Sequence, residues 1–354
     1  MAVAASMFAA STAVAQTTQK LTANKVNEYG LIYNLPMTAF DITLEIEGEV
    51  LKPGEFYNYA RIYLNADPIM AQSQSWHLKS ATIVPVGVAD TSEQYLVQFK
   101  SGATPYMIIG EESIPLAVNT DEVAPPATVS LPKEQPMQPT VLERPEAAYA
   151  FSGEMLAGTS LAKRAELAAA KIFEIRDTRN EIIAGQSDNM PSDGSAMKIA
   201  LDNLAQQEAA LTAMFVGTRQ SCTRVATFRY IPAMEDETIV IARISALDGF
   251  VVPTDLSGDP VYVTFAITEK GELPVNEKGE VKRFPKGGLA YRIPGKAGLT
   301  VRYDGADIAS DEFAVAQCGV VFGLDPGLFT DKKAPAYLIF DPVTGGVREL
   351  GSVE

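Results

Sequence analysis

"FDITLEIEGEV", residues 40–50, alternates cleanly: Phe40, Ile42, Leu44, Ile46 and Val50 fall on one side, and Asp41, Thr43, Glu45, Glu47 and Glu49 on the other. A strict period of two over this length is a strand with one face in a core and the other toward water, the habit of antiparallel sheets. The next stretch, "KPGEFYNYARIYL" (52–64), breaks that period. Phe56, Tyr59 and Tyr63 stand at helical spacing behind a Pro-Gly start, so a short helix is expected to cover one end of the sheet. Further strands are expected at 80–88 and 94–100, with Tyr95, Val97 and Phe99 on one face. Residues 16–120 thus read as an N-terminal β-rich domain with one short helix.

Residues 121–145 hold six prolines and little periodicity. Proline has no N–H for a ladder and fixes φ, so 121–150 reads as an extended, Pro-rich linker laid over the surface. From 160 to 217 the period becomes helical. Leu161, Ala165, Ala168, Ile172, Ile175 and Ile182 form one seam, interrupted by Arg179; Met197, Leu201, Leu204, Leu211 and Phe215 form another, interrupted by Glu208. A helical hairpin over 151–220 follows. With its corner centred near residue 189, Arg179 and Glu208 are expected to miss each other by roughly 13 Å at 1.5 Å per residue. The same register pairs Arg176 with Asp202, Glu181 with Lys198, and Lys171 with Glu208.

The corner itself, "QSDNMPSDGSA" (186–196), resembles a calcium loop, but no register places oxygen ligands, glycine and glutamate where such a loop needs them. Capping explains it better: Gly185 ends the first helix, Pro191 blocks earlier winding, and Ser192 or Asp193 caps the second just before Gly194. After 221 short strands run to residue 354, at 223–231, 237–245, 260–268, 288–293, 298–303, 312–322, 336–340 and 346–350, with turn signals between them. That is an all-β C-terminal domain. The expected fold class is α+β and mostly antiparallel β, with two sandwich- or barrel-like β-rich domains and a long antiparallel helical hairpin.

The length of 354 residues suits about two domains, and the composition is that of a folded chain. A net charge of −15 argues against nucleic acid and against anionic lipid as partners. No run reaches the roughly eighteen apolar residues of a transmembrane span. At the start, "MAVAASMFAASTAVAQ" carries an apolar run ending in Ala13-Val14-Ala15, the small-x-small pattern of signal-peptide cleavage. Residues 1–15 therefore read as the remnant of a signal peptide, and the mature chain as exported, to the periplasm or cell surface. Cys222 and Cys318 could pair in such a compartment, although each lies in a strand-like apolar segment where a lone thiol packs as a small hydrophobe.

"KIFEIRDTRNEIIAG" and "DNMPSDGSAMKIALDNLAQQEAALTAMFVG" resemble an uncharacterised family of Bacteroidetes envelope proteins, known as a domain of unknown function. "YNLPMTAFDITLEIE", "GGLAYRIPGKAGLTV", "VAQCGVVFGLDP" and "FDPVTGGVREL" carry the same resemblance along nearly the whole mature chain. It implies export and a β-plus-helix build, and no activity. The family usually has an aromatic residue at the position of Cys318, a departure that favours a buried thiol over a bridge.

Candidate chemistry is sparse. His77, the only histidine, stands beside Trp76, the only tryptophan, and no nucleophile elbow, Walker loop, dinucleotide fingerprint or zinc set accompanies them. Tyr57, Trp76 and His77 are the candidates for a ligand or partner surface, with no cofactor or metal expected. The expected role is a non-catalytic structural or interaction protein of the envelope, acting on an envelope protein or glycan. A polysaccharide-binding protein or glycoside hydrolase, with paired carboxylates among the many acids, is the alternative.

Overall fold

The computed structural model describes residues 16–20, 30–99, 106–125, 128–158, 160–186, 194–329 and 335–352. The signal-like run 1–15 lies outside the described residues, as do Pro191, Ser192 and Asp193 of the corner. In chain order, β1 (Gln16–Lys20), β2 (Leu31–Lys52), α1 (Ala60–Leu64), β3 (Ser73–Phe99), β4 (Met107–Ile109) and β5 (Pro115–Val118) come first. Three helices follow, α2 (Gly153–Ala157), α3 (Leu161–Ala184) and α4 (Gly194–Val216). Then come β6 (Thr218–Tyr230), β7 (Glu237–Ser245), β8 (Gly249–Val251), β9 (Asp259–Glu269), β10 (Leu289–Tyr303), β11 (Ala306–Leu324), β12 (Ala336–Phe340) and β13 (Val347–Ser352). The chain is mostly antiparallel β, and the described residues form three sheets ordered β1-β3-β2-β6, β11-β10-β9-β7-β8 and β13-β12-β5-β4.

The alternating stretch lies in the middle of β2, a strand of 22 residues paired along most of its length with the 27-residue β3. Strands usually run about five or six residues; these are longer because they serve two cores in turn. Phe40, Ile42, Leu44 and Ile46 enter one core with Ile244, Val263, Leu299 and Val315. Tyr33 and Leu35, nearer the start of β2, enter a second with Val118, Leu289, Leu338 and Phe340. The β10–β11 hairpin divides in the same way. Register shifts between Asn34 and Pro36 and between Ile293 and Gly295 fall where each long hairpin passes from one core to the other. At that crossing a Cβ on Gly319 would stand 1.9 Å from the Ile293 carbonyl oxygen, so only glycine fits.

Stretches 16–120 and 221–354, read from sequence as separate β-rich units, therefore contribute jointly to both cores. The Pro-rich connector is laid along an edge. Gln135 exchanges backbone hydrogen bonds with Thr223, at 3.2 and 2.9 Å, and the Gln220 amide donates to the Gln138 carbonyl. It thereby shields the outer edge of β6, which would otherwise offer free N–H and C=O groups.

The Phe56 segment is helical only from Ala60, after a tighter turn at Tyr57–Tyr59, and it packs on the long helices rather than over a sheet end. Fully buried Phe56 donates its N–H to the Met214 carbonyl at 2.7 Å and places its ring 5.3 Å from that of Phe215. Ala165, Ala168, Ile172 and Ile175 of α3 share this third core with Ala210, Leu211 and Phe215 of α4. Leu161, expected in the seam, is instead 41% exposed at the first turn of α3. Gly185 closes α3 at φ +71°, donating to the Ile182 carbonyl, while Gly194 is the first residue of α4.

The helix pairings expected from the corner are not the ones formed: among the described residues no ion pair joins Arg176 to Asp202, Glu181 to Lys198 or Lys171 to Glu208. Glu208 takes both arginines, its carboxylate oxygens lying 2.6 Å from Arg176 Nε and 2.7 Å from an Arg179 guanidinium nitrogen. Lys171 pairs with Glu174 of its own helix instead. Helical side chains lean toward their own N-terminus, so Arg179 and Glu208 lean toward each other, and the length of arginine lets them meet where residue counting alone keeps them apart.

Candidate functional site: a cleft at the free edge of β3

Among the described residues only β1 and β2 pair with β3, and β1 reaches no further than Tyr95–Phe99. No strand among the described residues pairs with the outer side of β3 from Ala81 to Val88. The backbone groups on that side follow from the ladder. Thr38 stands opposite Gly87, and its N–H and C=O point away from β3, because a side chain on the far side engages both. Residues directly opposed in an antiparallel pair both point inward or both point outward, so Gly87 faces away from β2, and with it Pro85, Ile83 and Ala81. Pro85, which has no N–H, thus costs the sheet no ladder bond.

A cleft of about 640 Å³ runs along this edge. Val84–Gly87 form its floor; Ile114, just ahead of β5, and Leu116 of β5 form one wall, Pro342 and Val343 the other, with Glu111 and Arg348 among its polar groups. Both walls are fixed by hydrogen bonds. The Glu112 carboxylate accepts the outward N–H of Ala89 at 2.7 Å, closing one end, and Asn34 donates to the Glu112 carbonyl. Across the cleft the Asp341 carboxylate accepts the N–H groups of Val343 and Thr344, each at 2.9 Å, and Thr38 donates its hydroxyl to the Val343 carbonyl. Gly87 allows that wall to approach, since a Cβ there would lie 2.0 Å from the Pro342 oxygen.

Behind the floor, the buried Gln317 amide engages both backbone groups of Thr38, accepting its N–H and donating to its carbonyl, both at 2.9 Å. β6 stops at Tyr230, ahead of Pro232, so Gln317 supplies at Thr38 the rung that the strand would have supplied. Just past the closed end, Asp90 of β3 meets Arg292 of β10 at 2.5 Å, and both are buried. Burial raises the Asp90 carboxyl's pKa, but the hydrogen bonds from Ser92 and the Arg292 guanidinium outweigh it and hold the group below its ordinary value.

Residues 29–348 match a family model described as Domain of unknown function (DUF4831). The chain belongs to that family. No curated protein and no solved structure gives a match. The stretches carrying the resemblance occupy structural positions in this DUF4831 chain: "VAQCGVVFGLDP" supplies Gln317 and the Gly319 crossing, and "FDPVTGGVREL" supplies the Asp341–Thr344 wall.

The surface candidates Tyr57, Trp76 and His77 do not converge. Trp76 is buried in the first core under the Arg224 guanidinium, 4.4 Å from its ring, and is no surface residue. His77, on the opposite face of β3, is exposed with Nε2 3.6 Å from Glu47. Tyr57 is half-buried in the turn before α1. Cys222 and Cys318 are free thiols that both pack on the first core, and burial pushes the Cys318 thiol's pKa upward. The β3 cleft escaped sequence reading because an unpaired edge is set by what lies beside a strand, and the only local signal was Pro85.

Proposed function

We propose that this chain is a non-catalytic binding protein of the bacterial envelope, receiving an extended segment of a partner protein along the free edge of β3. The observation that carries the reading is the outward row at Pro85 and Gly87 inside a walled apolar cleft, continued by Ile83 just beyond its lining. Strand addition to such an edge takes affinity from main-chain hydrogen bonds and specificity from side-chain pockets. The incoming segment has apolar side chains at alternate positions, set against Ile114, Leu116 and Val343. Export is supported by the signal-like Ala13-Val14-Ala15 run, and α3 and α4 read as an antiparallel hairpin standing on the same β body.

The test places a photo-crosslinking residue at Leu116 of the full chain in its native host and identifies the crosslinked peptides by mass spectrometry. One recurrent extended segment is expected. The matching synthetic peptide then binds the wild-type chain at least about tenfold more tightly than Ile83→Pro, which deletes one outward N–H without touching the ladder to β2. Scattered crosslinks, or equal affinities, would contradict the reading.

A further inference from the structure

A second cleft, of about 680 Å³, lies at the opposite character of surface, between the 274–285 loop and the β10–β11 pair. The loop is a miniature hairpin built to hold its shape. Val275 bridges Val281, the Asn276 N–H donates to the Glu280 carbonyl at 2.8 Å, and the Asn276 side-chain oxygen accepts the N–H groups of Lys278 and Glu280, each at 2.9 Å. Phe284 then lays its ring over Gly323, where a Cβ would stand 2.7 Å from the ring, and meets Phe322 edge-on at 6.1 Å. Phe284 does not itself line the cleft; it stands at the rim, over the lining residue Gly323, and remains 45% exposed although the hairpin fixes it.

The polar lining is unusual for a chain of net charge −15. Lys282 and Arg283 both line the cleft, and neither has a salt-bridge partner among the described residues. The Tyr291 hydroxyl, also in the lining, has no hydrogen-bond partner among them either. Two carboxylates share the space: Glu280, which accepts from the Asn276 amide at 3.0 Å, and Asp325, which accepts the Gly327 N–H at 2.8 Å. A ligand must therefore bring negative charge for the two cations without crowding it onto the two acids. Hydroxyl donors would suit those acids, and an apolar face would suit Phe284 at the rim.

We propose that this cleft binds an acidic saccharide, a chain of uronic acid residues. One ring carboxylate lies between Lys282 and Arg283, hydroxyls donate to Glu280 and Asp325, and a C–H face of a sugar rests on the Phe284 ring. Charge-assisted hydrogen bonds to Arg and Lys are the stronger kind, and the aromatic platform supplies desolvated contact area. A phosphate-rich ligand concentrates its charge and would press it against Glu280 and Asp325. A uronate carries one charge per ring, separated by hydroxyls. The site is separate from the β3 edge and stands whether or not that edge takes a strand.

Isothermal titration of the full chain with tetrasaccharides of galacturonic, mannuronic, guluronic and glucuronic acid tests it. At least one is expected to bind, and its methyl ester, which keeps the sugar and loses the charge, to bind at least about tenfold more weakly. The Lys282→Ser/Arg283→Ser double variant and Phe284→Ala are each expected to lose a similar factor, and Ile83→Pro to lose none. The proposal is overturned if no acidic tetrasaccharide binds, if a tetra-aspartate peptide binds as tightly, or if Phe284→Ala binds unchanged.

Discussion

Gln317 holds Thr38 by both of its backbone groups, accepting the N–H and donating to the carbonyl at 2.9 Å each, and in doing so joins β11 to β2 where β6 has ended. A neutral primary amide presents one acceptor and two donors side by side, the pattern a neighbouring strand would show. The second amide hydrogen reaches the Pro232 carbonyl at 3.3 Å. One side chain thus ties the floor of the β3 cleft to the second sheet.

Replacing Gln317 by Leu keeps the size and removes the partner of three backbone groups, the Thr38 N–H and carbonyl and the Pro232 carbonyl. Each unsatisfied group costs about 1–3 kcal/mol, so the variant is expected to lose about 3 kcal/mol in urea denaturation at unchanged slope. Gln317→Glu removes the donor and buries a charge, and is expected to lose more at pH 7 than at pH 4.

Asp90 and Arg292 form the buried ion pair at the end of the cleft. Removing one partner leaves the other charge uncompensated, so Arg292→Met is expected to cost about 3–5 kcal/mol, with Asp90→Asn/Arg292→Met recovering part of it. The carboxyl's pKa is lowered in the fold, so its stabilisation is complete above the unfolded value and fades as pH falls through the folded one. Acid titration of stability should lose that limb in Asp90→Asn and keep it in the wild type.

Glu208 with Arg176 and Arg179 is a different case, since the arginine side chains are 39% and 33% exposed. Glu208→Gln is expected to cost no more than about 1 kcal/mol, less at high salt. Phe56→Ala, at the centre of the helical core, is expected to cost about 3–5 kcal/mol. Thermal unfolding of both variants checks the ranking.

The two thiols should separate kinetically. Cys222 is half-buried, whereas Cys318 is buried with its thiol pKa pushed upward. Iodoacetamide at pH 8 is expected to label Cys222 first and to reach Cys318 on the timescale of opening of the first core. Equal rates would contradict that placement.

Much of the fold was legible because it is written as local period. The strand through 40–50, the two helices and the strand at 237–245 have the expected type and place, although Thr43 and Glu45 are buried on the face expected toward water and Leu161 is exposed in its seam. Partner choice is not local. That Phe40 packs with Phe313, or that Tyr33 exchanges hydrogen bonds with Ala290, depends on contacts more than 250 residues apart, which no window of sequence contains. Hence two β-rich domains were expected where two long hairpins share their cores. Glu208 differs for another reason: residue counting fixes backbone register but not the lean and length of arginine side chains. Trp76 lies in the core, against the surface reading, because its parity in β3 turns it inward.

Residue-resolved amide hydrogen exchange on the full chain, with and without the segment that crosslinks at Leu116, tests the strand-acceptor reading most directly. Val84 and Val86 donate inward to β2 and should exchange slowly throughout. Ile83 and Gly87 should exchange fast in the free chain and slow by at least about tenfold when the segment is bound. Unchanged exchange at both amides, with the segment bound at saturation, would contradict the account.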